Sequence, residues 1–223
     1  MTPSGQQSSQ RDEILAALRL GTRDAAIPPA SIQAAPVHPS PGETSLLSRD
    51  DLGDLFLSRV AEFGARVTTT ERSKVPDAIF HALALHSVEN CAAPHDLPSE
   101  WMADRYSWLI DDGSVPATEL AVVDGVVTGC AIAIAATGTI VLDSGPSQGR
   151  RAISLLPDLH VCVVFADQLV DDVPAAITRC AETVRVSQSP LTLISGPSAT
   201  SDIELHRIEG VHGPRRLDVI LAL

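Results

Sequence analysis

Short, uninterrupted apolar runs separated by glycine, aspartate or threonine fill the second half of this chain, and they restrict its fold more than any other feature. Runs this continuous favour strands that are covered on both faces of a sheet. Because helical segments lie between some of them, we predict an α/β fold built on a largely parallel sheet, with binding loops at the strand ends. The runs are residues 122–123, 126–127, 131–135, 140–142, 161–165, 191–194 and 217–223.

Three amphipathic segments predict the helices that cover this sheet. The first begins at Ser48, a suitable N-cap, and ends at Gly64. The second covers residues 76–85, after a short strand at 65–69, and the third begins after Asp172 with Pro174 in its first turn. The apolar residues recur at helical spacing in the first helix, lie on the predicted inner side of the second and form one stripe of the third. They are Leu52, Leu55, Phe56, Val60 and Phe63 in the first, Ile79, Phe80 and Leu83 in the second, and Val173, Ile177, Cys180 and Val184 in the third.

The N-terminal 47 residues differ in composition from the rest of the chain. A short helix is predicted at residues 12–20, followed by a segment rich in Pro, Ala and Ser that is incompatible with a regular helix. We interpret residues 1–47 as a short helix with an extended arm, and residues 48–223 as the main domain. The arm is either a linker or a cover for a cleft or a second subunit.

Charge and cysteine usage narrow the classes of function. With 16 Lys and Arg against 28 Asp and Glu, the net charge is 16 − 28 = −12, which disfavours binding to nucleic acid or anionic lipid. The cysteines are scattered without Cys-x-x-Cys spacing, so neither zinc nor an iron-sulfur cluster is expected in this chain. Cys130 and Cys162 are predicted to be small buried hydrophobes. His81 and His86 lack acidic or cysteine partners at ligand spacing and are predicted to be surface or half-buried helix residues rather than metal ligands.

The expected compartment is the cytoplasm. Charged residues precede any apolar stretch at the N-terminus, which is unlike a signal peptide, and no apolar run reaches membrane-spanning length.

Two glycine-containing loops are candidates for anion binding. Thr137-Gly138-Thr139 joins two apolar runs, and its small residues would let backbone N–H groups approach an anion, although a tight hairpin turn explains the same residues. The loop from Asp143 ends in Arg150 and Arg151, whose guanidinium groups suit carboxylate or phosphate, or are simply solvated. Neither loop matches a nucleotide-binding fingerprint.

Two polar loops near the C-terminus bracket one short segment, and we expect them to converge on a small ligand. His212 is a candidate acid or base, Glu209 its orienting partner and Arg215 a carboxylate clamp, although a structural role for the histidine is an open alternative. Ser201 and Glu204 have capping-box spacing and are alternatively helix-capping residues. The ligand-binding candidates of these loops are Ser195, Gly196, Ser198, Ser201, Asp202, Glu204, Gly213 and Arg215.

Four motifs in this order resemble the lactate utilization protein C family, whose members are stand-alone LUD-domain proteins. They are Thr137 to Pro146, Ser154-Leu-Leu-Pro-Asp-Leu-His160, Ser195 to Glu204, and Glu209-Gly-Val-His-Gly-Pro-Arg215. The resemblance implies a Rossmann-like fold similar to ribose-5-phosphate isomerase, glucosamine-6-phosphate deaminase and CoA transferases. It also implies a role in bacterial L-lactate oxidation to pyruvate with two iron-sulfur partner proteins.

The chain departs from that family at two positions. The family commonly has acidic residues before Thr-Gly-Thr, where this chain has Ala131 and Ala136. The missing carboxylates leave Glu204, Glu209 and His212 as ionisable candidates and favour an accessory or subunit of the lactate-oxidising system. The alternative hypothesis is an autonomous enzyme that acts on a small phosphorylated or CoA-linked acid.

Overall fold

A six-stranded, fully parallel sheet forms the centre of the protein. A computed structural model describes residues 48–200, 208–209 and 213–223, so the predicted arm and short helix at residues 1–47 lie outside the described residues. The strand order is β1-β12-β7-β4-β2-β3. These strands are β1 (Arg66–Thr70), β2 (Asn90–Pro94), β3 (Ser107–Asp111), β4 (Gly125–Thr128), β7 (Leu159–Phe165) and β12 (Arg216–Ala222).

A second sheet of four strands, in the order β8-β5-β6-β9, lies beside the first in the fold. Its strands are β5 (Ile132–Ile134), β6 (Thr139–Leu142), β8 (Leu169–Val170) and β9 (Thr192–Ile194). Strands β5 and β6 form an antiparallel hairpin, and β9 pairs antiparallel with β6. A two-residue pair, β10 (Ala199–Thr200) with β11 (Ile208–Glu209), follows. The predicted α/β class is confirmed, but the sequence did not reveal this separate, mostly antiparallel sheet.

Helices cover both faces of the central sheet, as the continuous apolar runs predicted. Helix α1 (Arg49–Glu62) begins with a capping box, in which the Ser48 hydroxyl accepts from the Asp51 N–H. It packs its buried face against Cys162 and Val164 of β7. Helix α2 (Val75–Leu85) packs against Val161 and Val163 of the same strand, on the opposite face. Because successive side chains of β7 point to opposite faces of the sheet, the apolar core has two halves, one on each face.

The remaining helices are α3 (Ala117–Leu120) and α4 (Val173–Ser187). Most of the predicted apolar stripe of α4 is not covered by another element, since Ile177 is 54% exposed and Val173 and Val184 are also exposed. The helix instead packs through the small residues Ala176 and Cys180, because contact with a narrow four-stranded sheet needs only a thin apolar strip.

Two predicted strands also require correction. Residues 122–123 form a turn after α3, and Val122 is exposed because no sheet neighbour covers it. The run at 191–194 does form a strand, but a half-buried one with Leu193 exposed, because β9 is an edge strand. The cysteine prediction is confirmed: Cys130 and Cys162 are buried and free.

A candidate ligand-binding cleft beside His160

A cleft of about 270 Å³ lies where loops of the second sheet meet the amino ends of β7 and β12. Its position differs from the carboxyl-end crevice that open parallel sheets usually use, because His160 and Leu217 are each the second residue of their strands. The lining residues are Arg151, Leu155, His160, Thr192, Leu193, Ile194, Ser195, Gly196, Pro197, Ser198, Gly213, Pro214 and Leu217.

Backbone and hydroxyl hydrogen bonds bring the loops of this cleft together. The Ser198 N–H donates to the Pro214 carbonyl at 2.8 Å, which joins the two C-terminal loops. The Thr139 hydroxyl is hydrogen-bonded to Ser195 at 2.8 Å and to Thr137 at 2.8 Å. Thr137 and Thr139 are not among the lining residues of the cleft, and Thr137-Gly138 is the turn of the β5–β6 hairpin, the alternative that the sequence left open.

Glycine is required where these loops touch the end of α1. Gly138 has φ +59°, and a Cβ placed on it would lie 2.4 Å from the Val60 backbone nitrogen. A Cβ on Gly196 would lie 2.7 Å from Cβ of Phe63. Both distances are shorter than carbon can approach without displacement. The end of α1 therefore fixes the hairpin and the Ser195–Gly196 loop in relation to the sheet.

His160 lies at the buried floor of the cleft and has an incomplete set of hydrogen bonds. Its side chain is 1% exposed, and Nε2 lies 2.7 Å from the Thr128 hydroxyl of β4. Nδ1 has no hydrogen-bond partner among the described residues. Burial lowers the pKa of His160 to about 4, so the ring is neutral at physiological pH.

His160 belongs to one of the family-like motifs but was not among the predicted site residues. The available signal was a histidine inside an apolar run, Leu159-His160-Val161-Cys162, where a buried polar side chain needs partners. The Ala131 and Ala136 positions, which flank β5, supply no carboxylate to the cleft lining.

The paired arginines separate in the structure. Arg151 is exposed at the rim of the cleft, and its guanidinium has no partner within the described part of the chain. Arg150 instead donates through Nε and Nη2 to the two carboxylate oxygens of Asp111, at 2.8 and 3.2 Å, and also contacts the Val115 carbonyl. Arg150 thus binds a buried carboxylate of β3 and is not among the lining residues of the cleft.

The C-terminal candidates fall into three groups. Ser195, Gly196, Ser198 and Gly213 line the cleft. Arg215 lies outside it in an exposed pair with Asp158, with Nε 3.4 Å from Oδ1. The backbone of Glu209 lies in β11, and its side chain is not among those described. Ser201, Asp202, Glu204 and His212 lie outside the described residues, so their proposed roles stay predictions.

A larger groove of about 750 Å³ lies on the opposite face of the central sheet, between β1 and α2. Asp218 lies at its base. Its Oδ1 is 3.0 Å from His86 Nε2, and its Oδ2 is 4.0 Å from Arg66 Nε. Burial raises the pKa of Asp218, against the lowering effects of His86, Arg66 and Arg216. His81 is exposed and His86 half-buried, as predicted.

Within the described ranges, no cluster of three or more His, Cys, Asp and Glu side chains is arranged to hold a metal ion. None of the helices described there is both long enough and apolar enough to cross a membrane.

Comparison with known proteins identifies the family. The family model of the LUD domain matches residues 96–222, more than half of the chain and including every lining residue of the cleft. The chain belongs to the LUD-domain family. Other members differ in how similar they are to it. Lactate utilization protein C of Deinococcus radiodurans is 44% identical over 202 residues, which cover 91% of this chain and 92% of that protein.

Two further LUD-domain comparisons extend this relationship. Lactate utilization protein C of Anoxybacillus flavithermus is 26% identical over 78% of this chain and 81% of its own length. The crystal structure of a DUF162 family protein from Deinococcus radiodurans superposes with a TM-score of 0.68 at 37% identity, covering 79% of this chain and 99% of that one. The LUD domain of this chain therefore has the architecture of a solved relative.

Proposed function

We propose that this LUD-domain protein serves lactate utilization in the cytoplasm, as an accessory or subunit of an iron-sulfur system that oxidises L-lactate to pyruvate. Its own contribution is a binding site for a small carboxylate. Electron transfer belongs to two iron-sulfur partner proteins. The similarity to lactate utilization protein C over 91% of the chain supports the pathway, and the cleft beside His160 supports the binding role.

The composition of the cleft is the observation that carries the binding role. A rim guanidinium without a partner among the described residues, two glycines and two serines in the loops, Thr192 on β9 and a buried imidazole suit an anion with few atoms. The cleft volume of about 270 Å³ is slightly below that of typical small-molecule pockets, which are about 300 to 1,000 Å³. It matches a two- to four-carbon acid better than a CoA ester.

Activity measurements test the accessory role. We expect the purified chain to show no L-lactate oxidation with an artificial electron acceptor, and to restore turnover when added to the two iron-sulfur partners. Robust turnover by the chain alone would contradict the accessory role. Unimpaired growth on L-lactate after deletion of the gene would contradict the pathway.

A second candidate function, an autonomous enzyme on a small phosphorylated acid, is favoured by Arg151 alone, whose guanidinium, without a partner in the described part of the chain, suits phosphate as well as carboxylate. A thermal-shift screen separates the two functions. Stabilisation by sugar phosphates but not by small carboxylates would favour the enzyme, and the reverse would favour the lactate-utilization role.

A further inference from the structure

Gly213 differs from the other glycines near this cleft because packing in the fold does not require a glycine there. A Cβ on Gly138 or Gly196 would collide with the end of α1. A Cβ on Gly213 would instead lie 3.4 Å from Cβ of Ser198 and 3.7 Å from Cδ2 of Leu155, which are ordinary contact distances, and its φ lies outside the left-handed region. Neither close packing nor backbone conformation therefore explains why this position has no side chain.

A glycine without such a structural role lowers stability. Glycine loses more conformational entropy on folding than alanine does, and alanine at a compatible position usually stabilises a protein. What alanine would remove is space inside the cleft. Gly213, Ser198 and Leu155 all line the cleft, and the three atoms nearest to an added Cβ all belong to the side chains of Ser198 and Leu155. The missing side chain thus leaves an open space between two lining side chains.

The lining of the cleft separates the two ends of an aliphatic acid. Leu155, beside the open space, is apolar, as are the lining residues Pro214 and Leu217. Arg151 supplies a guanidinium at the exposed rim. A carboxylate is costly to remove from both water and cations, so it stays at the rim. An alkyl chain is stabilised by leaving water, so it moves against the apolar residues.

We propose that Gly213 sets the size of the acid that the cleft accepts, because the space between Leu155 and Ser198 receives the aliphatic chain of an acid whose carboxylate lies at Arg151. This inference rests on the proposed small-carboxylate site and adds a residue that determines its specificity. Any side chain at position 213 would occupy part of this space and shorten the acid that fits. Glycine at this position thus lowers the stability of the loop and widens the range of ligands.

A homologous series of acids measures this space. Acetate, propionate, butyrate and valerate share a carboxylate and differ only in the number of methylene groups, and ligand-observed NMR gives their dissociation constants. We expect each methylene that enters the cleft to strengthen binding by up to about fourfold. Gly213→Ala should lower the butyrate-to-acetate affinity ratio about fourfold, the effect of one methylene. The same variant should raise the midpoint of urea unfolding, which a glycine needed for the fold would not allow.

Two further variants assign the effect to the space beside Gly213. Gly129→Ala is the matched control, since a Cβ there would lie 3.5 Å from Cβ of Ser147, and Gly129 does not line the cleft. It should leave the butyrate-to-acetate ratio unchanged. Leu155→Val shortens the side chain that faces the space, so adding it to Gly213→Ala should restore the ratio. By itself, Leu155→Val should raise the affinity for valerate relative to butyrate.

Each contrary result has a distinct meaning. A wild-type ratio near one, an unchanged ratio in Gly213→Ala, or an equal fall in Gly129→Ala would overturn the role of Gly213. The carboxylate site would still stand if Arg151→Gln weakened the binding of all four acids. If Gly213→Ala fails to fold, Leu155→Val alone decides, and an unchanged valerate-to-butyrate ratio would overturn the inference. If no acid binds at millimolar concentration, the proposed carboxylate site is overturned, and the role of Gly213 with it.

Discussion

The cleft beside His160 and the groove beside Asp218 lie on opposite faces of β12, whose residues Leu217 and Asp218 line the cleft and the groove respectively. Their buried polar side chains differ in how far the described residues satisfy their hydrogen bonds. The groove is larger, about 750 Å³ against 270 Å³. At its base, however, both carboxylate oxygens of Asp218 have partners in His86 and Arg66. In the cleft, Nδ1 of His160 has no hydrogen-bond partner among the described residues. Incomplete polar satisfaction, rather than volume, marks the cleft as the region that needs a ligand.

The comparison also shows how burial and neighbouring charges together determine the pKa of a buried side chain. Thr128 is a neutral partner, so burial alone determines the pKa of His160 and lowers it to about 4. Asp218 is buried beside cations that favour its charged form, yet burial is the largest influence and raises its pKa. The cleft is therefore a neutral floor with a cationic rim, while the groove contains its own charge pairs.

The largest expected effect comes from the close contact between Gly138 and α1, which fixes the β5–β6 hairpin beside the cleft. Gly138→Ala should lower the free energy of unfolding by about 3 to 4 kcal/mol, because it adds left-handed strain to a collision with α1. Urea unfolding measures this loss. Gly113→Ala is the matched control, since Gly113 has φ +99° and a Cβ added there would meet nothing within 4 Å, and it should cost only about 1 kcal/mol. Equal losses for the two variants would contradict the contact.

The second effect is acid sensitivity that comes from the cleft and not from the groove. The pKa of His160 is about 4 in the folded protein and about 6.5 in an unfolded chain. Between these values the unfolded state binds more protons, so stability falls as the pH falls from about 6.5 to about 4, by about 3 kcal/mol in total. Urea unfolding across this range should show that component in the wild type.

Two histidine variants separate the faces in this pH experiment. His160→Gln should lose the acid-sensitive component because glutamine does not titrate, whereas His86→Gln should keep it. If the pH dependence of both variants matches that of the wild type, His160 is not the buried neutral group described here.

The parallel sheet and its covering helices were predictable because they depend on local patterns. Continuous apolar runs required two covered faces, and β7 has them. The Ser48 capping box was visible from spacing alone. The exposed face of α4 was not predictable, since apolar residues such as Ile177 recur at helical spacing whether or not a partner element covers them.

The candidate site was less predictable because its polar pairs join distant parts of the chain. Thr128 and His160 are 32 residues apart, and His86 and Asp218 are 132 residues apart. Each pair exists only because particular strands or helices become neighbours in the fold. The polar, glycine-containing composition of the loops indicated Ser195, Gly196, Ser198 and Gly213. His160 and Asp218 lie inside apolar strands, and loop composition gives no indication of such residues.

A third prediction exchanges the roles of the two adjacent arginines. Arg151→Lys should leave stability unchanged within about 0.5 kcal/mol and should weaken the binding of a small carboxylate such as L-lactate several-fold, because lysine lacks the planar fork that matches a carboxylate. Arg150→Lys should do the reverse, with a stability loss of about 1 kcal/mol because buried Asp111 loses one of the two hydrogen bonds that Arg150 donates to it. Urea unfolding and ligand-observed NMR measure the two quantities. If Arg150→Lys weakens binding as much as Arg151→Lys, both guanidinium groups reach the ligand.

The smallest expected effect comes from the groove, because Asp218 already has His86 and Arg66 as partners there. Asp218→Asn keeps a hydrogen-bond acceptor for His86 and removes a buried charge, so stability at neutral pH should change by less than about 1 kcal/mol. The stability of the variant relative to the wild type depends on pH. Because the folded pKa of Asp218 is raised, its ionisation destabilises the fold as the pH rises above 3.8, so the variant should gain relative to the wild type between acidic and neutral pH.

Asp158→Asn is the control for this last measurement, since Asp158 forms exposed pairs with Arg215 and Arg216 and surface pairs contribute little. Its stability difference from the wild type should show no comparable rise with pH. A loss of more than about 2 kcal/mol for Asp218→Asn at neutral pH would mean that the charged carboxylate holds the two elements together. The groove would then resemble the cleft in depending on one polar side chain, and the contrast between the two faces would have to be drawn from His160 alone.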